Sequence, residues 1–392
     1  MAEIYKTESG NEWGTFGIIS VAHLINDIYG NFIPQLLPFL IAGGIVSVTA
    51  GATLVGAFTI TSSIAQPIFG YLVDQKNQGW VIMVGTLWMS ILLGITGFVT
   101  NYSLLFLLTA AAGLGTAAFH PQASATIGQL SNTNKGFILA AFVAMGNIGA
   151  ALSPVIFLNL FNSFGIHSTG FAVIPGIIAA SLLYFFAPRH KNKEKNHKGM
   201  GQVINALKKS SRELSKLVMV VSLRSLVNTS FTMLLPLYFL ERNLSHKIVG
   251  GLMFSTLAAG AIGGLIGGYI SDKYGKRPLI AFSMFLSTLF FYGFLYTAGP
   301  ISILLLALGG MSLLSSFSVT VAFAQDVIPE NKAMASGLSL GFAIGIGGLA
   351  VTPIGKLAEL YGIGFALHLA FIIPIATGLI ALSLKDDRKA AQ

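Results

Sequence analysis

The chain has 392 residues, 54% of them hydrophobic and 9% charged, with 23 Lys and Arg against 14 Asp and Glu for a formal net charge of +9. A soluble domain carries about 25% charged residues, so this composition excludes a large soluble protein and points to an integral membrane protein. There is no cysteine, which removes disulfides, thiolate metal sites and cysteine nucleophiles together.

Apolar stretches of about 20 residues, the length that crosses a bilayer, recur along the whole chain. They lie at roughly 13–41, 48–73, 80–100, 103–130, 136–162, 169–187, 216–240, 247–271, 278–297, 300–324, 334–360 and 363–384, and are numbered here as spans 1 to 12. Helices are required, because an open strand edge would leave backbone groups unsatisfied in lipid and the alternating pattern of an outer-membrane barrel is absent. The leading "MAEIYKTESGNEWG" lacks the basic, apolar, small-residue layout of a cleaved signal, so span 1 is expected to stay in the mature protein.

Span 1 contains "AHLINDIYGNFIPQLLPFL", in which His23, Asn26, Asp27, Gly30, Asn31 and Pro34 recur every three or four residues and share one helical stripe. That stripe must face a bundle interior. Asp27 precedes Pro38, near the outer end, by a rise of roughly 16 Å at about 1.5 Å per residue, which places it near the middle of a core about 30 Å thick. An ionisable group at that depth is a functional candidate. The next loop, "GYLVDQKNQGW", carries Gly70 and Asp74; span 4 carries "FHPQAS", with His120 and Gln122 beside the helix-bending Pro121; span 5 carries "GNIGAALSP", with Gly146, Gly149 and Pro154.

The connector "PRHKNKEKNHKGMGQVINALKKSSRELSK" is the one long polar segment. It divides the chain into an N-terminal bundle (1–187), a basic linker (188–215) and a C-terminal bundle (216–392), the linker being read as a solvated segment against lipid headgroups. Span 7 then places Arg224 twelve residues before Pro236, at the depth of Asp27, with Asn228 and Thr232 on the same face. The loop after span 8, "GGYISDKYGKRP", holds Gly268, Asp272, Lys276 and Arg277, and span 11 holds "GIGGLAVTP", with Gly345, Gly348 and Pro353.

A shift of 198 or 199 positions superposes "QLLPFL" on "MLLPLYFL", "GYLVD" on "GYISD" and "GNIGAALSP" on "GIGGLAVTP". The two halves are therefore read as parallel repeats, two six-helix bundles around a central cavity. With twelve spans, one side of the membrane receives Lys6, Lys76, Lys135, the cluster from Arg189 to Lys216, Lys273, Lys276, Arg277, Lys332, Lys385, Arg388 and Lys389, and the other only Arg242, Lys247 and Lys356. Both termini and the linker are thus expected in the cytoplasm, and the net charge reflects anionic lipid with no nucleic-acid partner.

These motifs resemble known ones. "GGYISDKYGKRP" is similar to the Gly-x-x-x-Asp-Arg-x-Gly-Arg-Arg loop signature of the major facilitator superfamily, a conformational latch in which a close-packed Gly lets helices touch and Asp272 accepts from a helix N-terminus. The first-half copy keeps Gly70 and Asp74 but has Gln75 and Gln78 where the family has basic residues. "GNIGAALSP" resembles the Gly-x-x-x-Gly-Pro signature of antiporters, with Ser153 for the second Gly; close helix packing alone would also explain it. "AHLINDIYGNFIPQLLPFL", "GLGTAAFHPQAS" and "LRSLVNTSFTMLLPLYFLER" together resemble the fosmidomycin-resistance branch of that superfamily over nearly the whole chain.

The resemblance implies an all-α, twelve-helix transporter of the cytoplasmic membrane, a proton-driven antiporter exporting small amphiphilic or anionic compounds, with Asp27, His120 and Arg224 as the matching central residues. Asp27 and His120 are the expected proton-coupling pair; Arg224, His23, Asn26, Asn31, Gln122 and Asn228 are the expected substrate contacts. Tyr29, Phe32, Phe119, Phe231 and Tyr238 are candidate cavity lining. Burial favours the protonated carboxyl and a nearby cation favours the carboxylate, so proton affinity can follow the orientation of the cavity. A fixed Asp27–Arg224 pair holding the halves together is the structural alternative. Proton-coupled import is the functional one, and a channel, a solute sensor and an intramembrane enzyme are the competing classes. No nucleophile or metal cluster and no nucleotide motif is found, and a monomer without cofactor is expected, its partners being protons, lipid and a small-molecule substrate.

Overall fold

The computed structural model describes residues 12–66, 68–69, 80–127, 135–186, 208, 210–328 and 338–385. Among them every regular element is helical. Ten helices are long and apolar enough to cross a membrane, and Val48–Ile64 is a shorter apolar one. Span 1 supplies the remaining crossing as two consecutive pieces, Glu12–Gly30 and Phe32–Ala42.

The break in span 1 has a local cause. Pro34 has no N–H to give the carbonyl of Gly30, so the first helix ends at Gly30 and the ladder resumes only with Gln35 N donating to Asn31 O at 3.4 Å. Span 5 (Lys135–Phe164) contains Pro154 and stays continuous. There the carbonyl left without its helical donor is that of Ala150, and Asn31 Nδ2 of span 1 donates to it at 3.2 Å. One proline breaks span 1 and a second creates the acceptor that the residue at the break fills.

Glycines set how closely the spans approach. A methyl group on Gly149 would strike the backbone carbonyl of Leu24, so span 5 lies directly on span 1. In span 8 (His246–Tyr274) the close-packed positions are Gly260, Gly263 and Gly267, against Leu314, Met311 and Ser315 of span 10. Gly268, expected to be the touching glycine of the loop motif, has only Ser318 Oγ near it, at 3.7 Å. Gly345 and Gly348 of span 11 pack on Ser63, Ile64 and Thr59 of span 2, and a methyl on Gly56 would lie 3.1 Å from the Gly348 carbonyl. Spans 2 and 11 therefore join the two halves, as do Gly250 of span 8 and Pro154 of span 5.

The buried apolar residues form a fork. At the end of the molecule away from Phe186 and Ser210, the described residues that mark the linker side, residues of both halves, including Leu36, Phe157, Leu235, Phe239 and Phe371, share one cluster. Toward the linker side the cluster splits into separate groups. One belongs to the first half and holds Ile19, Ala22, Phe119, Phe142 and Leu183; the other belongs to the second half and holds Leu217, Val220, Val221, Phe323 and Ala381. Among the described residues the apolar core is thus shared by the halves on one side and divided between them on the other, where spans 2 and 11 still touch. A polar clasp closes the fused end: Glu359 of span 11 accepts from Thr49 N at 3.1 Å and Thr49 Oγ1 at 2.6 Å, at the start of span 2. The Phe39 and His246 rings stack beside it, centroids 4.8 Å apart.

Candidate functional site

Where the shared core divides, the first half presents three ionisable side chains. His23 and Asp27, one turn apart on span 1, lie between the linker-side cluster ending at Ala22 and the shared cluster beginning at Tyr29. His23 Nε2 is 3.3 Å from Asp27 Oδ2, and His120 Nε2, brought in by span 4, is 3.4 Å from Asp27 Oδ1. The carboxylate is bracketed by an imidazole on each oxygen. The two imidazoles meet edge to face at 5.2 Å.

The imidazoles are held differently. His23 donates through Nδ1 to the Phe142 carbonyl of span 5 at 2.9 Å, and its ring stacks on Phe142 at 4.0 Å between centroids and on Phe119 at 5.9 Å. Its side chain is 7% exposed, while Asp27 and His120 keep 23% and 26%, at the level where the apolar core divides. Gly146 lies over this pair: a methyl there would collide with Asp27 Oδ2 and the His23 ring. Nothing in the sequence marks Phe142. Gly146 is legible there only as a packing glycine, whereas its missing side chain leaves room for the carboxylate.

The second half presents Arg224 in the equivalent position, between Val221 of its linker-side cluster and Leu226 of the shared cluster. It is 2% exposed, its Nε makes no hydrogen bond, and its guanidinium lies 4.8 Å above the Phe317 ring centroid of span 10. Asp27 pairs with the histidines and not with Arg224, so a fixed Asp27–Arg224 bridge is not what joins the halves. Among the described residues Arg224 is a cation buried without a carboxylate partner. The Asn228 Oδ1 one turn on is also buried and unbonded, while Thr232 turns its hydroxyl back to the Asn228 carbonyl at 2.7 Å. Ser222 and Ser225 pin the start of span 11 beside it, donating to the carbonyls of Ala343 at 2.9 Å and Ile344 at 3.2 Å.

Several expected contacts sit elsewhere. Asn31 is the donor to Ala150 and is occupied with packing. Gln122 turns along its own helix, Nε2 donating to Thr126 Oγ1 at 3.4 Å, because residues four apart stack on a helix. Asn26 is fully buried with both amide atoms unbonded. Tyr29, Phe32, Phe119, Phe231 and Tyr238 are all buried in the apolar clusters, as core and not as cavity lining. In the loop motif, Asp272 is exposed and takes part in no ion pair or hydrogen bond among the described residues, while Lys276 bonds Asp326 of span 10 at 2.8 Å. Gly70 and Asp74 lie outside the described residues, and Pro353 follows a turn at Ala350 that divides span 11. One ligand atom from each of His23, Asp27 and His120 lies within 4.8 Å of the other two, a grouping of metal-ligating residue types that the sequence reading did not single out.

The sequence profile of the Major Facilitator Superfamily matches residues 10–352. The chain is 26% identical over 394 residues to the fosmidomycin resistance protein of Escherichia coli strain K12, covering 97% of this chain and 95% of that protein. Among solved structures, a nucleoside transporter, NupG, aligns with a TM-score of 0.81 at 13% identity over 94% of this chain and 99% of its own. A bacterial homolog of the human lysosomal transporter Spinster, in an inward-facing and unoccupied conformation, aligns with a TM-score of 0.75 at 13% identity over 96% of each chain. At that identity the two structures speak for the fold.

Proposed function

As a member of the Major Facilitator Superfamily, the chain is a transporter of a small molecule and not an enzyme, and we propose that it is a proton-coupled antiporter that exports small amphiphilic or anionic compounds. The observation that carries this reading is the pairing of sites at the fork: an Asp27 carboxylate bracketed by two imidazoles in one half and an Arg224 without a counter-ion in the other. Asp27 exchanges protons with His120 and His23, which lie within reach of its two oxygens. A buried cation with no partner is costly, and an anionic cargo group arriving beside Arg224 would relieve that cost.

The halves 1–187 and 216–392 act as the two moving bodies and 188–215 as their tether. With the basic loops placed in the cytoplasm, the parted side of the core faces inward, the state ready to load cargo for export from an inner membrane. The likeness to a fosmidomycin resistance protein supports efflux. Alternation would close the linker-side prongs and part the fused end, carrying Asp27 from one aqueous face to the other.

The test is transport by the purified protein in vesicles with an imposed pH gradient, using an anionic amphiphile as cargo. Antiport predicts accumulation in vesicles that are acidic inside, abolished in Asp27→Asn. Accumulation driven by external acid would instead establish import, and equal uphill transport by Asp27→Asn would remove Asp27 as the coupling group.

A further inference from the structure

We propose that His23, Asp27 and His120 also form a binding site for a divalent transition-metal ion of the zinc class, with a fourth coordination position open to water. The proposal concerns the same side chains as the proton reading and shares with it only their location.

The first support is the tautomer of His23. A backbone carbonyl can only accept, so the 2.9 Å contact with Phe142 O puts the ring hydrogen on Nδ1. The neutral ring then turns the lone pair of Nε2 toward Asp27 Oδ2, 3.3 Å away. A proton shared between the two atoms fills that position, and a metal ion can take the proton's place. A hydrogen bond from the far ring nitrogen to a backbone carbonyl is also how proteins orient a metal-binding imidazole.

The second support is the spacing. Nitrogen and oxygen ligands about 2.0–2.1 Å from a tetrahedral zinc are separated by roughly 3.3 Å. The two contacts, 3.3 and 3.4 Å, fall on opposite oxygens of Asp27, and the three ligand atoms lie within 4.8 Å of one another, so one ion on all three draws a single carboxylate oxygen and both Nε2 atoms in to that spacing by side-chain rotation. Two imidazoles and one carboxylate suit Zn2+ or Co2+ better than the all-oxygen ions Mg2+ and Ca2+.

The third support is rigidity on one side and access on the other. His23 is wedged between the Phe119 and Phe142 rings, and Gly146 leaves the space that a side chain would fill. Asp27 and His120 remain partly exposed, at 23% and 26%, so an ion can reach them from water. Three protein ligands with an open position is the geometry of a site that can also take a ligand from solution. A metal ion there ties span 1 to span 4 and occupies the atoms that exchange protons, so it would stop transport.

The experiment uses the full-length chain without a histidine tag, purified in detergent and titrated with Co2+ as the probe for Zn2+. The expected result is one equivalent of Co2+ with the intense visible bands of tetrahedral coordination, displaced by Zn2+. Affinity should fall by more than about tenfold in His120→Gln and in Asp27→Asn and persist in His368→Gln, a histidine of span 12 far from the site. Weak octahedral absorption only in the wild type would overturn the proposal whatever the variants do. So would tetrahedral bands that survive in both His23→Gln and His120→Gln. If the wild type binds no Co2+ while Asp27→Asn abolishes pH-driven uptake, the metal site falls and the proton reading stands; tetrahedral Co2+ in a wild type whose uphill transport survives Asp27→Asn gives the reverse.

Discussion

Asn31 of span 1 donates to the Ala150 carbonyl of span 5, the acceptor that Pro154 deprives of its own helical hydrogen bond. The bond crosses between two helices that also meet at Gly149 and Leu24. Asn31→Leu should leave a buried carbonyl unsatisfied and cost about 1–3 kcal/mol, read as a lower melting temperature in detergent. In a Pro154→Ala background, where residue 154 can donate to Ala150 again, the same substitution should cost much less. An equal cost in both backgrounds would show that the amide acts in some other way.

Gly146→Ala places a methyl on the Asp27 carboxylate and the His23 ring. Overpacking of this kind costs about 1–3 kcal/mol. Because the clash falls on the coupling pair, pH-driven transport should fall by more than the loss of stability accounts for. Gly149→Ala, which meets only the Leu24 backbone, should destabilise at least as much. The comparison is between melting temperature and uphill transport per folded molecule.

Arg224→Met removes a buried cation that has no carboxylate partner. Stability should hold or rise, since an uncompensated charge is replaced by an apolar chain of similar length. Affinity for an anionic cargo should fall by roughly ten- to a hundredfold, the worth of a charge-assisted hydrogen bond of about 1.5–3 kcal/mol. Loss of stability with unchanged cargo affinity would assign Arg224 to the scaffold.

Glu359→Ala removes the two hydrogen bonds that hold the start of span 2 to the end of span 11. A loss of about 1 kcal/mol shifts the balance toward the form parted at that end by roughly fivefold. The chain has no native cysteine, so a Val46→Cys probe, buried at the fused end, reports the shift directly. Its labelling by a water-soluble thiol reagent should accelerate in Glu359→Ala and not in Lys356→Ala.

The twelve spans were legible because hydropathy and length act locally, and the 198–199 shift gave the repeat. Asp27, His120 and Arg224 were legible because a charge inside an apolar run stands out. Their partners were not. Which atom meets Asp27 depends on how spans 1, 4 and 5 approach, and that is set by Gly146 and by a backbone carbonyl at Phe142, neither of which carries a polar side chain. Helical periodicity placed Asn31 on the stripe of Asp27, but periodicity has no term for the acceptor that Pro154 creates on another helix. The aromatic residues failed as cavity lining for a related reason: in lipid, large rings serve packing as readily as binding. The Glu359–Thr49 clasp spans 310 positions and no local pattern announces it.

The forked core has a thermal consequence. Reversing the transporter must expose part of the apolar body that both halves share around Leu36, Phe157, Leu235 and Phe371, while the linker-side prongs bury surface of their own. Wetting apolar area raises the heat capacity. Unless the two areas match, the reorientation step carries a heat-capacity change of its own, and the turnover rate plotted against reciprocal temperature should bend smoothly, with no straight segment from which one activation enthalpy could be taken.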